Sequence, residues 1–234
     1  MASDRPTRRF GVLGGTFDPV HIGHLIIAQE AVSLLDLDRF FFLPAGEPPH
    51  KRTRHITPVQ HRLRMLELAI ADNPAFAISR VDVDRSGPSY TADTLRLLHE
   101  AWGPDTALYF VIGWDMLYDL PSWYRPNEVV RQVERLVVIR RPCYDESAPF
   151  LALLNKLVPG VQERLLPLET AQVTINSTDL RKRVAAGRSI RYQVPDAVEQ
   201  YILAQGLYRQ PEAEERPEPL HPPVESEQPG REVP

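Results

Sequence analysis

Short apolar runs alternate with amphipathic stretches along the chain, and the two patterns predict different elements. Four mainly apolar runs stop at a glycine, a proline or an arginine and have the length of buried strands: 10–13, 39–43, 107–112 and 136–139. Residues 76–83 alternate apolar and polar side chains, which predicts a further strand. Apolar residues recur at helical spacing in five other stretches: 21–35, 58–71, 90–102, 178–186 and 196–204.

Strands that alternate with helices are typical of an α/β fold with a mostly parallel sheet. We therefore expect a Rossmann-like, doubly wound sheet in a single domain that covers residues 8–209. The composition changes sharply after this range, because residues 210–234 hold seven prolines and seven glutamates and almost no apolar side chains. Such a segment cannot bury enough apolar surface to offset the entropy lost on ordering, so residues 210–234 are predicted to form a disordered tail.

The formal net charge of −4 is concentrated at the C-terminal end of the chain. Residues 211–234 contain seven glutamates and two arginines, which gives −5 and leaves about +1 for residues 1–210. A nearly neutral folded part gives no general argument for binding to nucleic acid. We expect no nucleic-acid partner.

The cellular context is predicted from features that concern membranes and cysteine. The apolar runs fall far short of the roughly 18 residues that a membrane span requires, and residues 1–9 lack the apolar core of a secretory signal. A single cysteine, Cys143, excludes an internal disulfide framework and fits a reducing compartment. We expect a cytoplasmic protein without a membrane partner, and the sequence leaves open whether it forms a homo-oligomer.

The segment most informative about chemistry follows the first predicted strand, where residues 14–25 read GGTFDPVHIGHL. Two glycines at the end of a strand allow backbone N–H groups to approach a ligand. A helix begins near Ile22, and its N-terminus presents unpaired N–H groups and the positive end of the helix dipole. Such an arrangement favours the binding of a phosphate group.

His21 and His24 are three residues apart, so at the start of a helix they lie on one face. Two imidazoles beside an anion-binding helix terminus can donate hydrogen bonds to phosphoryl oxygens. Phosphoryl and nucleotidyl transfer chiefly require that the groups be positioned and that developing charge be neutralised, which suits this loop. The alternative, a metal-binding histidine pair, lacks an obvious third ligand nearby in the sequence.

This loop resembles the signature of the nucleotidyltransferases that carry a His-x-Gly-His motif, and it is closest to that of bacterial nicotinate mononucleotide adenylyltransferases. The resemblance runs from about residue 10 to residue 209. Besides the loop and Trp123, it is carried by PPHK (48–51), SYTADTL (89–95), IGWD (112–115), RRP (140–142), INSTDLR (175–181) and GLY (206–208). The chain departs from the family pattern at Asn176, where serine is more common.

The resemblance implies an ATP site that is assembled from three parts of the chain. The residues concerned are Gly14, Gly15, Thr16, Phe17, His21, His24, Gly113, Asp115, Ser177, Thr178 and Arg181. Of these, His21, His24 and Arg181 are implied to be catalytic, as donors to the phosphates and to the transition state. Asp115 follows a predicted strand end, the usual ligand edge of an open α/β sheet, where it could accept from a ribose hydroxyl.

Four further residues are implied to bind the second substrate, nicotinate mononucleotide. Trp123 offers a flat face for stacking on the pyridine ring. Thr91 offers a hydroxyl and a helix-start N–H for the ring carboxylate. Lys51 could clamp phosphates as a mobile point charge, and Arg141 could reach the phosphate of the mononucleotide.

The implied reaction is direct transfer of the adenylyl group of ATP to nicotinate mononucleotide, which gives deamido-NAD and pyrophosphate. The attacking phosphate is already an anion, so no general base is required. We expect Mg²⁺ to accompany ATP and to be held mainly by its phosphates and water, because the sequence shows no set of carboxylates that would form a protein metal site.

Three other functional hypotheses are compatible with the sequence. The acceptor could be nicotinamide mononucleotide, which differs from the nicotinate form by one group, or phosphopantetheine, which Trp123 and the Tyr90–Thr91 pair disfavour. The chain could be a nucleotide-binding sensor that has lost catalysis, although both histidines and Arg181 are present. It could also act through its acidic, proline-rich tail, in which case deletion of residues 211–234 would remove activity.

Overall fold

The computed structural model describes residues 8–47, 56–140 and 147–209. Its strands are β1 (Arg8–Gly15), β2 (Arg39–Pro44), β3 (Phe76–Ile78), β4 (Thr106–Gly113), β5 (Arg135–Ile139) and β6 (Leu165–Leu168). Its helices are α1 (Ile22–Leu34), α2 (Val59–Ile70), α3 (Thr91–Trp102), α4 (Trp114–Asp119), α5 (Pro126–Arg131), α6 (Ala148–Leu157), α7 (Val161–Arg164), α8 (Ser177–Ala185) and α9 (Asp196–Ala204). A short 3₁₀ turn, Leu120–Ser122, follows α4.

The six strands form one sheet in the order β3-β2-β1-β4-β5-β6, and all five neighbouring pairs are parallel. The predicted α/β, doubly wound fold is confirmed. The strand order reverses between β1 and β4, so the connections that leave these two strands run in opposite directions. Ligands of open α/β sheets bind in the crevice outside the carboxyl ends of the strands at such a reversal. The fold therefore singles out the ends of β1 and β4.

The apolar core lies on both faces of the sheet, because alternate side chains of a buried strand point to opposite faces. In β4, Tyr109 and Val111 belong to one buried cluster, while Leu108 and Phe110 belong to the other. Residues of α1, α2, α8 and α9 complete the first cluster, and residues of α3 to α7 complete the second. Both faces are covered, which explains why the central strands read as continuous apolar runs.

The prediction of a strand over residues 76–83 was too long. Only residues 76–78 pair with β2, and the chain then turns, with the N–H groups of Val83 and Asp84 donating to the Arg80 carbonyl at 2.8 and 2.9 Å. The polar residue in this turn, Asp82, is buried because it accepts hydrogen bonds from the Thr94 hydroxyl and from Arg85. The turn therefore buries a carboxylate that the alternating pattern assigned to a strand.

Five elements were not predicted, namely α4, α5, α6, α7 and β6. Eight of the ten residues of α6, counting Pro149, are apolar, and so apolar a short run does not distinguish a helix from a buried strand. Strand β6 contains Pro167, which argues against a strand in the centre of a sheet but is tolerated at its edge, where β6 lies. Among the described residues, no helix has both the length and the apolar character that crossing a membrane requires.

Candidate active site

The loop between β1 and α1 takes its shape from the packing of Phe17 against Gly15. Phe17 adopts a left-handed backbone conformation (φ 52°) and is 2 % exposed. A Cβ atom at Gly15 would lie 3.0 Å from the Phe17 ring, so a side chain there would push the ring by a few tenths of an ångström. At Gly14, by contrast, a Cβ atom would meet no atom within 4 Å. The tight packing against Phe17 therefore favours a glycine at position 15.

The two histidines of the loop form a stacked pair at the N-terminus of α1. His21 caps the helix, and its ring centroid lies 3.7 Å from that of His24 at an interplanar angle of 24°. The His21 backbone N–H donates to Nδ1 of His24 at 3.2 Å. Gly23 leaves room for this pair, because a Cβ atom there would lie 3.1 Å from Nδ1 of His21.

The protonation state of His24 follows from these surroundings. Burial lowers the pKa of His24 well below its usual value, and the charge on His21 lowers it further. The imidazole of His24 is therefore neutral at neutral pH. Because its Nδ1 accepts a hydrogen bond, its single proton resides on Nε2, which makes this nitrogen a donor.

A second helix N-terminus, that of α8, is joined to the same loop. Asn176 caps α8, because its side chain accepts from the Asp179 N–H at 2.8 Å. Ser177 donates its hydroxyl to the Pro19 carbonyl at 2.9 Å, and Arg181 donates Nη1 to the Asp18 carbonyl at 2.8 Å. The departure from the family pattern at Asn176 thus retains a capping side chain, since Asn and Ser are both favoured N-caps.

A cavity of about 420 Å³ lies between these two helix termini and the carboxyl ends of the central strands. Its lining combines the loop, the first turn of α8 and residues that follow β4 and β6; the polar members are Thr16, Asp18, His21, His24, Asp115, Thr170, Gln172, Asn176, Ser177, Thr178 and Arg181. Two helix N-termini and an arginine favour an anion here. The volume lies within the usual range of small-molecule pockets.

The structure brings together nine of the eleven predicted ATP-site residues on this cavity: Gly15, Thr16, Phe17, His21, His24, Asp115, Ser177, Thr178 and Arg181. The other two, Gly14 and Gly113, do not line it. Gly113 makes room for Asp115, since a Cβ atom at position 113 would lie 2.5 Å from Oδ1 of Asp115. A glycine at the end of β4 therefore leaves the space that the Asp115 carboxylate occupies.

Of the four residues predicted to bind the second substrate, the two that the structure describes, Thr91 and Trp123, do not line this cavity. Thr91 begins α3, and Trp123 is half-buried against the core, edge to face with Phe110 at 6.3 Å between ring centroids. Beside them, the rings of Tyr90 and Tyr124 lie 4.5 Å apart, a pairing that the sequence did not indicate. Lys51 and Arg141 lie outside the described residues, as do Cys143 and the predicted tail.

Sequence reasoning missed three residues beneath the loop: Asp18, Arg62 and Tyr208. Asp18 is 4 % exposed and accepts from the Tyr208 hydroxyl at 2.6 Å and from the Thr57 N–H at 3.1 Å. Arg62 is 2 % exposed and donates to three backbone carbonyls. Two signals were available in the sequence, namely the position of Asp18 within the loop motif and that of Tyr208 within the GLY stretch (206–208), whereas Arg62 lay in no such motif.

The acidic and histidine side chains around the cavity are few. Of the described residues, no three His, Cys, Asp or Glu side chains lie close enough together to hold a metal ion. The two carboxylates on the cavity are those of Asp18 and Asp115, and both oxygens of Asp18 already accept hydrogen bonds. The described side chains therefore do not form a cage for a divalent cation.

The strand order and the anion-favouring crevice at its reversal define a nucleotide-binding protein of the doubly wound α/β class. Comparison with known proteins agrees, because the family model described as cytidylyltransferase-like matches residues 12–183. A Thermomicrobium roseum protein named "probable nicotinate-nucleotide adenylyltransferase" is 48 % identical over 88 % of this chain and 94 % of its own length. A Roseiflexus protein of the same name is 51 % identical over 85 % of this chain and 97 % of its own. The chain therefore belongs to the cytidylyltransferase-like family and, within it, to the nicotinate-nucleotide adenylyltransferases, which confirms the resemblance in the sequence.

A solved structure gives the same picture of the fold. The nicotinic acid mononucleotide adenylyltransferase of Plasmodium falciparum, in complex with NaAD, superposes with a TM-score of 0.69 at 18 % identity. The match covers 86 % of this chain and 98 % of the other. At this level of identity the similarity supports the fold alone.

Proposed function

We propose that this protein transfers the adenylyl group of ATP to the 5′-phosphate of nicotinate mononucleotide, which yields deamido-NAD and pyrophosphate. The observation that carries the proposal is the convergence of His21, His24 and Arg181 from two helix N-termini on one cavity at the strand-order reversal. The choice of acceptor rests on the names of the relatives, at 48 % and 51 % identity. The Plasmodium falciparum structure holds NaAD, which is deamido-NAD, the dinucleotide that this reaction would form.

In the proposed reaction, an oxygen of the mononucleotide phosphate attacks the α-phosphorus of ATP in line with the leaving group. The new P–O bond forms as the bond from the α-phosphorus to the bridging oxygen breaks, and pyrophosphate leaves with that electron pair. The attacking oxygen is already anionic, so no side chain needs to remove a proton. The protein's task is to align the groups and to stabilise the charge that develops.

Each implicated side chain has a role that matches its surroundings. His24 is neutral, and its Nε2–H donates a hydrogen bond to a phosphoryl oxygen. Arg181 supplies a permanent positive charge to the same cavity, where its Nη1 donates to the Asp18 carbonyl. Asp115 accepts from a ribose hydroxyl of the adenosine. Thr91 and Trp123, together with Lys51 and Arg141, bind the mononucleotide.

The divalent cation enters this proposal as part of the substrate. Adenylyl transfer of this kind uses a metal ion with ATP, and we propose that the ion is magnesium, held by the triphosphate and water. The proposal also places the reaction in the cytoplasm, in keeping with the single cysteine of the chain.

The test is pyrophosphate release from MgATP with nicotinate mononucleotide and nicotinamide mononucleotide supplied separately. Strong release with the nicotinate form alone is the expected result. Equal release with both would keep the reaction and overturn the assignment of the acceptor. Release with neither would refute the proposed function, and adenylation of phosphopantetheine would be measured next.

A further inference from the structure

A fully buried arginine lies behind the loop that carries the two histidines. Arg62 donates Nε to the Thr57 carbonyl, and Nη1 to the carbonyls of Thr16 and Ala45, each at 2.9 Å. These carbonyls belong to three separate parts of the chain: the loop after β1, the end of β2 and the segment before α2. Burial lowers the pKa of Arg62, because its charge is withdrawn from water. A buried charge of this kind is retained only where its hydrogen bonds are satisfied.

The opposite charge in this region belongs to Asp18, and Thr57 connects the two. Asp18 accepts from the Thr57 N–H at 3.1 Å, while Arg62 binds the Thr57 carbonyl. The negative charge of Asp18 raises the pKa of Arg62 and so partly offsets the effect of burial. One residue of backbone thus joins a buried anion in the loop to a buried cation in α2.

The third residue of this buried cluster, Tyr208, comes from the C-terminal end of the described residues. Tyr208 donates its hydroxyl to Oδ1 of Asp18 at 2.6 Å, across 190 positions in the sequence. Burial and the charge of Asp18 raise the pKa of Tyr208 well above its usual value, so the hydroxyl keeps its proton and remains a donor. Tyr208 also holds a left-handed backbone conformation, with φ of 60°, just after the end of α9.

The loop is therefore anchored on the side away from the cavity as well as by the first turn of α8. Three carbonyls of the loop accept hydrogen bonds. That of Thr16 accepts from Arg62, that of Asp18 from Arg181 and that of Pro19 from Ser177. A carbonyl bound to a donor presents less negative charge to a neighbouring polyanion. Any shift of the loop would move the histidines and Arg181 together, because Arg181 holds a carbonyl of the same loop.

We infer that Asp18, Arg62 and Tyr208 are positioning residues, which hold residues 16–21 so that His21 and His24 meet the reacting phosphates in the required geometry. The kinetic part of this inference rests on the proposed function; the structural part does not. Arg62 and Tyr208 do not line the cavity, and Asp18, which does, has both carboxylate oxygens bound to donors of the protein. Their effect on the reaction comes through the loop, where displacement of about 1 Å can cost about 100-fold in rate.

The test compares Tyr208→Phe with Tyr201→Phe. Both variants keep an aromatic ring and lose the hydroxyl. The Tyr208 hydroxyl contacts Asp18 and Sδ of Met65, whereas that of Tyr201 bonds to Nδ1 of His61 in α2 at 2.8 Å. Tyr208→Phe is expected to raise amide hydrogen exchange in residues 16–21 by about tenfold, as expected for loss of a hydrogen bond to a charged group. It should also lower kcat by about tenfold while the KM for ATP changes less than twofold. Tyr201→Phe should change neither.

Two results would overturn the inference. The first is unchanged exchange and unchanged kcat in Tyr208→Phe. The second is an equal loss in both variants, which would assign the hydroxyl a general role in stability. If the unaltered protein shows no transfer at all, the proposed function fails, but loop exchange still decides the inference. Asp18→Asn provides a second variant, since it keeps the shape of the side chain and removes the charge; it should raise loop exchange in the same way.

Discussion

Replacement of Arg62 by methionine tests most sharply how the buried charges support the fold. The change fills a similar volume but leaves three carbonyls and the Asp18 carboxylate without their cationic partner. An unsatisfied buried polar group costs about 1–3 kcal/mol, and removal of one partner of a buried charge pair costs about 3–5 kcal/mol. These costs overlap, because they concern the same cluster. We expect the free energy of unfolding to fall by about 3–5 kcal/mol, a large share of the roughly 5–15 kcal/mol typical of a domain.

The assay is urea unfolding, with Arg64→Met as the matched control. Arg64 lies two positions away in α2, is about half exposed and forms a surface pair with Glu67 at 3.0 Å. Such surface pairs contribute about 1 kcal/mol or less, so the control should remain close to the unaltered protein. If Arg62→Met were destabilised no more than Arg64→Met, the reasoning about the buried cluster would be refuted.

Three further predictions concern the site. The folded state binds a proton at His24 less readily than the unfolded state does, because burial lowers the pKa of His24. The stability that depends on neutral His24 is therefore complete above about pH 6.5 and is lost as the pH falls from there towards the lowered pKa. In His24→Gln, this part of the pH dependence of thermal unfolding should disappear. Gly15→Ala should lower the midpoint of thermal unfolding because of the 3.0 Å contact with Phe17, whereas Gly14→Ala, with no atom within 4 Å, should not; equal effects would contradict the packing argument. Arg181→Lys keeps the charge but loses the fixed fork of donors, so kcat should fall by about 100-fold in steady-state assays, and an unchanged kcat would exclude its role.

The central part of the fold could be predicted because its strands are continuous apolar runs between helices of clear period. Strands β1, β2, β4 and β5 are covered on both faces, and this burial is visible in their composition. Helix α6 and strand β6 were missed because α6 is a short run with eight apolar residues in ten, which fits a strand as well as a helix, and because Pro167 argues against a strand. The end of β3 was misplaced because a tertiary contact of Asp82 with Thr94 outweighs the local pattern.

The candidate site divides in the same way. His21 and His24 could be found because the motif that holds them is local, with a strand, glycines and a helix start in twelve residues. The roles of Arg62 and Tyr208 could not be inferred, although Tyr208 lies in the GLY stretch, because the loop residues that they bind lie 46 and 190 positions away and only the folded chain brings them together. Local chemistry is thus readable in the sequence, whereas the groups that position it depend on tertiary structure.

The central claim is that the adenylyl group passes directly from ATP to nicotinate mononucleotide within the cavity between the two helix termini. The most direct test follows ATP labelled at the α-phosphate in single-turnover conditions, with the unaltered protein and with His24→Ala. The label should appear in deamido-NAD, with one pyrophosphate per dinucleotide and no label left on the protein, and His24→Ala should slow the step by about 100-fold or more. Label covalently attached to the protein before the dinucleotide forms, or an undiminished rate in His24→Ala, would contradict it.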